Sequence, residues 1–431
     1  MNATPGERIS RRQFLGAGAA ALAAPYVVRP SALGLAGAVA PSDRVTMGFI
    51  GTGGRMGGVA KELTWHKDVQ AVAVCDVWAP ARERMRSGLK LPAEASYNDF
   101  RDLVAREDID AVAVATPDHW HVPISIAAVQ AGKDVYCEKP LSNTVAEGRA
   151  LVEAVRRHGA VFQHGTQLHS YPGTRHACEL VRNGRIGRLH TIRIGSPPGR
   201  ATGHHAAQPV PAGLDYDLWL GCAPEAPYTP ARVFRHGGLP GWYFVSDYSQ
   251  SGWIAGYGVH DLDIAQWGMD TQSTGPTSVE GKGVFPRDGL WDTVLTYDLV
   301  LECPGGVRLI MTDTSKNRHG VLFEGTEGWV FTRGGCQAEP KSLLKETFAA
   351  NETHLYRSPG HGRNFIDCVK SRARTITHAE IAHRATSMAL LGGIAVRLGR
   401  KLLWDARKER FIGDEEADRL LNLAMRPPWR V

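Results

Sequence analysis

From Val45 the chain reads "VTMGFIGTGGRMGGVAKELTWH": an apolar run, a glycine turn, then apolar positions at helical spacing. A second apolar run, "VQAVAVCDV", ends on Asp76, and "IDAVAVATPDHWH" and "KDVYCEKP" follow after helical and loop segments. Short Val- and Ala-rich strands that do not alternate with polar residues are buried on both faces, as in a parallel sheet covered by helices. This stretch therefore predicts a doubly wound α/β domain over 41–165. After Gly165 the rhythm changes. "TRHACELVRNGRIG" reads as a helix, and "RLHTIRIGS", "TSVEGKGVF", "DTVLTYDLVLEC", "VRLIMTDTS" and "GVLFEGTEGWVFTR" alternate as half-buried strands. They predict an α+β domain over 166–380 with an open, mainly antiparallel sheet. One face takes helices, and the other is free for a second copy of the chain or for covering substrate. Between Pro197 and Ser251 runs a long stretch rich in Gly, Pro and aromatic residues, too long for a simple connector and read as a functional loop region. In 381–431, "THAEIAHRATSMALLGGIAVRLGRKLLWD" carries an amphipathic helix expected to pack on the first domain, and the tail "RPPWRV" is expected to dock on a neighbouring surface.

Ahead of these domains, "SRRQFLGAGAAALAAP" sets Arg11 and Arg12 before a short, weakly apolar run of Ala and Gly. That is the pattern of a twin-arginine export signal, and 1–40 is read as signal and leader, giving a periplasmic or otherwise exported protein. The apolar run is too short to cross a bilayer, so no integral membrane span is expected. The formal charge is +6, of which the leader supplies half through four Arg against one Glu. The remainder is too little for a nucleic-acid-binding surface. Seven widely spaced cysteines without a CxxC pair read as small core residues, and no metal site is expected.

The glycine turn offers Gly51, Gly53 and Gly57, with Met56 where the third glycine of a dinucleotide-binding turn usually stands. A strand before it, a helix after it and Asp76 closing the next strand make this a Rossmann-type cofactor domain. An acid at the end of the second strand accepts ribose hydroxyls and favours NAD, while Arg82 leaves NADP open. Two further strand ends share that edge. "TPDHWH" supplies Thr116, Pro117, Asp118, His119 and His121, and "EKP" supplies Glu138 and Lys139 before Pro140, which ends the strand because it has no N–H to give. Taken singly, the histidines also read as packing residues and Lys139 as a solvated one. Gathered at one sheet edge, they read as a site.

Together "GTGGRMG", the acid of "CDV", "TPDHWH", "AGKDVYCEKPLS", "GTQLHS" and "SGWIAGYGVHDLDIAQWG" resemble the glucose–fructose oxidoreductase, inositol dehydrogenase and MocA family of sugar oxidoreductases, from Val45 to the C-terminus. The resemblance implies a tightly bound NAD held by Gly51, Gly53, Gly54, Arg55, Met56, Asp76, Thr116, Pro117, Asp118, His121, Glu138, Lys139 and Gln167. It implies that Lys139 and His260 form the acid/base pair on a sugar or glycoside hydroxyl, with Glu138 orienting Lys139 and a Lys–Pro bond that is often cis. His169, Trp242, Tyr243, Asp261 and His260, with Lys139, are the candidates for holding the sugar, and Trp120 for the cofactor–sugar boundary. Many members carry an Asp four residues before the His, where this chain has Gly256; Asp261 or Asp263 stands as a substitute. Exported members keep their dinucleotide, and a homo-oligomer formed through the open sheet is implied. Net dehydrogenation, including that at C3 of a glucoside, is the main expectation. Glycoside cleavage through transient oxidation is the alternative, and a non-catalytic sugar- or dinucleotide-binding protein is the rival from outside the enzymes.

Overall fold

The computed structural model describes residues 39–431; the twin-arginine segment at Arg11 and Arg12 lies outside the described residues. Val45–Val431 form one compact unit, and of the unit before it the structure describes residues 39–44. Those residues hold one 3-10 turn, Pro41–Asp43.

The second unit contains two large sheets and one two-stranded hairpin, Arg235–His236 against Leu239–Pro240. In the first, β1 (Val45–Ile50), β2 (Val69–Cys75), β3 (Ser96–Tyr97), β4 (Ala111–Val114), β5 (Asp134–Cys137) and β6 (Phe162–His164) lie in the order 3-2-1-4-5-6, with every pair parallel. All four residues of β4 and of β5 are buried, as the unbroken apolar runs require when helices cover both faces. The sheet order reverses between β1 and β4, and ligands of such sheets bind in the crevice at that switch. The helix Val145–His158 behind β5 is started by a capping box between Thr144 and Glu147.

The second sheet has nine strands: β7 (Leu189–Ser196), β8 (Ser278–Val284), β9 (Thr296–Cys303), β10 (Val307–Asp313), β11 (Gly320–Gly325), β12 (Trp329–Thr332), β13 (Cys336–Glu339), β14 (Leu402–Asp405) and β15 (Arg410–Phe411). Only β7 and β10 pair in parallel, and the other neighbours are antiparallel. Ile192, Ile194, Leu299, Leu309, Met311 and Phe323 point to one face and share a buried cluster with the helices Pro172–Arg182, Gly258–Met269 and Ala379–Leu398. Gly258 lets its helix lie close on the sheet, since a Cβ there would stand 2.1 Å from Met311 Cε. On the opposite face, where Asp298, Glu302 and Trp329 stand, no helix among the described residues covers the sheet.

The segment from 381 on, expected on the first domain, divides its contacts. Ala379 and Ala382 belong to a buried cluster of the first sheet, but Leu390, Leu391, Ile394 and Ala395 belong to that of the second, and β14 and β15 extend the second sheet. The tail returns to the first domain: Trp429 packs edge-on against Trp120 at 4.7 Å. All seven cysteines are unpaired, and six are buried. Among the described residues, no helix is long and apolar enough to cross a membrane.

Candidate active site

A cavity of about 350 Å³ opens at the carboxyl ends of β1, β2 and β4. Gly51, Gly53, Gly54, Asp76, Thr116 and Pro117 line it from the first domain. Gly51 has φ +82°, and a Cβ there would meet the Thr116 nitrogen at 2.7 Å, so only glycine makes this turn. Gly53 caps the helix Gly54–Thr64 without a side-chain hydrogen bond, and a Cβ on Gly53 would meet nothing within 4 Å. Free N–H groups at a helix N-terminus facing open space fit a pyrophosphate. Asp76 Oδ2 accepts hydrogen bonds from Thr52 N (2.6 Å) and Thr52 Oγ1 (3.0 Å), and Oδ1 accepts one from Trp78 N (2.8 Å), so Oδ1 keeps acceptor capacity for a ribose hydroxyl. Burial pushes its pKa up. Arg82 is occupied by the Asp76 main-chain oxygen, Ser96 and Asn98.

Met56 lies in the first turn of the helix Gly54–Thr64, so its main-chain N–H and not its side chain is the group that would face a pyrophosphate. Its side chain is fully buried in the cluster that holds Phe49, Val59 and Phe365, so it does not reach the cavity. The inward side of the helix's first turn packs on the sheet. Gly57, where a Cβ would meet nothing within 4 Å, has no steric need to be glycine.

Beyond Thr116 and Pro117 the strand-end residues turn inward. Asp118 accepts from Ser249 Oγ at 2.7 Å, and burial raises its pKa to about 7. His121 Nδ1 stands 2.6 Å from the Pro140 oxygen and its Nε2 3.1 Å from that of Thr116; burial holds it neutral, with a pKa near 4. His121 thus braces the "EKP" turn from behind and does not line the cavity. His119 Nε2 and Trp120 Nε1 both reach the Trp219 carbonyl, and Trp120 is on the cavity wall.

In the "EKP" turn the Lys139–Pro140 bond is cis. Glu138 does not orient Lys139: it is buried and accepts from Arg55 Nε at 2.7 Å, in an ion pair across to the glycine turn. Lys139 Nζ instead donates to the main-chain oxygen of Gly256 at 2.8 Å and lies 3.5 Å from Tyr243 Oη. The ammonium also sits over the rings of Tyr243 and Tyr257, at 5.5 and 5.9 Å. Burial pulls the Lys139 pKa down, but Tyr243, Glu138 and Asp118 outweigh it, so the net direction is upward. A Cβ on Gly256 would stand 3.3 Å from Trp253 and 3.5 Å from Tyr243. The room a carboxylate would take is held by aromatic rings, and the Gly256 carbonyl supplies the acceptor that Lys139 needs.

His260 is buried near the start of its helix, with Nδ1 unpartnered. Burial, then the charges of Lys139 and Arg333, hold its pKa well below the usual value. Neither proposed substitute acid serves it. Asp261 accepts from Arg333 at 3.1 Å, has His319 at 3.8 Å and is raised to about 7 by burial. Asp263 accepts from His169 Nδ1 at 2.8 Å. His169 takes a second hydrogen bond from Gln272 and lies 4.2 Å from the Trp267 ring, so it is fixed within the second domain and does not line the cofactor cavity. Gln167 keeps a buried, unpartnered side-chain oxygen.

Trp242 and Tyr243 stack at 3.8 Å and line the cavity, joined there by Trp78, Trp219, Phe234 and Arg235. The loop region 197–251 therefore roofs the cofactor cavity. Its aromatic content signalled a function. The Lys139–Tyr243 contact, the Arg55–Glu138 pair and the approach of Arg333 to His260 carried no signal in residue type or spacing.

Residues 45–166 match the family described as "Oxidoreductase family, NAD-binding Rossmann fold", and 199–431 match "Oxidoreductase family, C-terminal alpha/beta domain". The chain is 37% identical over 100 residues to levoglucosan dehydrogenase of Pseudarthrobacter phenanthrenivorans (23% of this chain, 26% of that protein). It is 35% identical over 135 residues to a glycosyl hydrolase family 109 protein of Shewanella pealeana (30% of this chain, 29% of that protein). The matched segments thus span under a third of these relatives. The structure of levoglucosan dehydrogenase in complex with NADH and L-sorbose superposes with a TM-score of 0.60 at 18% identity, covering 83% of this chain and 98% of that one, and shares its fold. With its parallel dinucleotide-binding sheet, its open nine-stranded sheet and both family matches, the chain belongs to the Gfo/Idh/MocA oxidoreductase family and carries an NAD-binding Rossmann domain.

Proposed function

We propose that the protein is exported with a tightly held NAD and dehydrogenates a carbinol carbon of a sugar or glycoside, C3 of a glucoside being the favoured position. The observation that carries this reading is the Lys139 ammonium set against the hydroxyl of Tyr243, whose side chain lines the cavity while Lys139 and His260 lie behind it, with a neutral His260 within the electrostatic reach of Lys139. Gly51, Gly53, Gly54 and Asp76 are the residues that would hold the dinucleotide; when bound it supplies the hydride acceptor, and its reduction removes one positive charge.

Loss of hydride from the substrate carbon requires the hydroxyl proton to leave. Lys139 keeps one N–H on Gly256 and has others to give to the developing alkoxide, which its charge stabilises. Tyr243 has a raised pKa through burial and stays protonated, so it is a donor to that oxygen or a relay. His260 is in its unprotonated form throughout the neutral range, so it is the group able to accept the proton. The stacked Trp242 and Tyr243 suit the apolar face of a pyranose. The helix-free face of the second sheet, where Trp329 is 37% exposed, is our choice for contact with a second copy.

Similarity to the glycosyl hydrolase family 109 protein favours one second reading, in which the same groups oxidise the sugar transiently and elimination of the aglycone follows. Lys139→Ala tests the catalytic reading: bound NAD should stay while turnover falls by about a thousandfold or more. Unchanged turnover would overturn it. Release of aglycone without net reduced nicotinamide would select the second reading.

A further inference from the structure

Arg235 belongs to a two-residue hairpin, Arg235–His236 against Leu239–Pro240, that projects from the loop region over the glycine turn. Its guanidinium NH1 would lie 3.6 Å from a Cβ on Gly54, the first residue of the helix whose N-terminus is uncapped. Among the described residues, no carboxylate pairs with Arg235. Nε and NH2 donate to the Gly238 oxygen of its own turn, and NH1 is left toward the cavity that Arg235 lines. Arg55, the nearer arginine in sequence, is already committed to Glu138.

A guanidinium set against the positive end of a helix is an unfavourable pair of like charges unless an anion lies between them. The chain around Arg235 runs along the rest of the cavity. At one end Ala79 N donates to Gly213 O (2.9 Å) and Asp215 N to Val77 O (3.0 Å), next to Asp76; Trp78 then packs on Phe234 at 5.1 Å. At the other end Tyr243 meets Lys139. Residues 213–243 thus trace the cavity from the ribose acid to the catalytic lysine, with Arg235 between.

We propose that Arg235 is a cofactor-binding residue, closing on the pyrophosphate from the side opposite the glycine turn, and that the strap 213–243 makes dinucleotide release slow. This rests on the NAD reading of the cavity. Trp78 and Trp242 on its wall give a fluorescence signal for binding. The test is a titration of nucleotide-stripped wild type, Arg235→Ala and Arg235→Lys with NAD and with adenosine, together with the NAD off-rate after dilution. The expected result is an NAD affinity about ten- to a hundredfold weaker in Arg235→Ala, a matching rise in off-rate, partial recovery in Arg235→Lys and unchanged adenosine affinity. Equal NAD affinity in wild type and Arg235→Ala, or an equal loss for adenosine, would overturn the assignment while leaving the reading of the cavity intact. A wild type that binds no dinucleotide would overturn both.

Discussion

Lys139 gives its 2.8 Å hydrogen bond to the carbonyl of Gly256, four residues before His260. A main-chain oxygen is thus the acceptor for the lysine, and it adds no negative charge. The second partner of the lysine, 3.5 Å away, is the phenol of Tyr243. On the proposed mechanism the reacting groups are a cation, a phenol and a neutral imidazole.

Tyr243→Phe isolates the phenol. The ring keeps its 3.8 Å stack on Trp242, so sugar KM should change little, while kcat should fall by about a hundredfold. Steady-state kinetics on the two variants Tyr243→Phe and Tyr243→Ala check this, the second being expected to raise KM as well.

The imidazole of His260 is held neutral by burial and then by the Lys139 charge. With a folded pKa well below 6.5, its base form survives into the acid range, and kcat/KM should stay level from neutral pH down through 6.5. Lys139→Met removes the largest opposing charge, so the His260 titration followed by NMR should move upward. No movement would mean that the two groups are not coupled.

Glu138→Gln should act on stability more than on chemistry, because the buried carboxylate holds Arg55 and not Lys139. Arg55 is 42% exposed, so a loss of about 1–2 kcal/mol is expected in chemical denaturation, less than for a fully buried pair. A fall in kcat as large as that of Lys139→Ala would contradict the pairing.

Acid should unfold the protein early. Burial keeps His119 and His361 near 3 and His121 and His378 near 4. In the unfolded chain these rings take up protons near pH 6.5, so their contribution is complete above that pH and is lost as pH falls toward 4. Asp118, Glu147 and Asp261, raised to about 7 by burial, act in the opposite sense, favouring the folded state at low pH and losing that contribution as pH rises from about 4 to 7. The histidines outnumber them. Thermal denaturation between pH 7 and 4 should show Tm falling.

The strand ends were legible in the sequence because unbroken apolar runs, Gly51 and Pro140 each have one local physical reading. Pairings across the chain were not. Nothing in the order of residues tells that Glu138 turns to Arg55, that His169 takes Asp263, or that Lys139 takes the backbone oxygen of Gly256. These are choices made by packing between segments roughly a hundred residues apart. β14 was missed for a related reason: "LLWD" is too short to show alternation, and its partner strand β8 lies far back in the chain.

The most direct measurement is the near-ultraviolet spectrum of the purified protein before and after adding a panel of glucosides, with no NAD supplied. The account expects the reduced-nicotinamide band to rise up to one equivalent per chain in the wild type and not in Lys139→Ala. No rise in the wild type with any glucoside, although bound NAD is present, or an equal rise in Lys139→Ala, would contradict it.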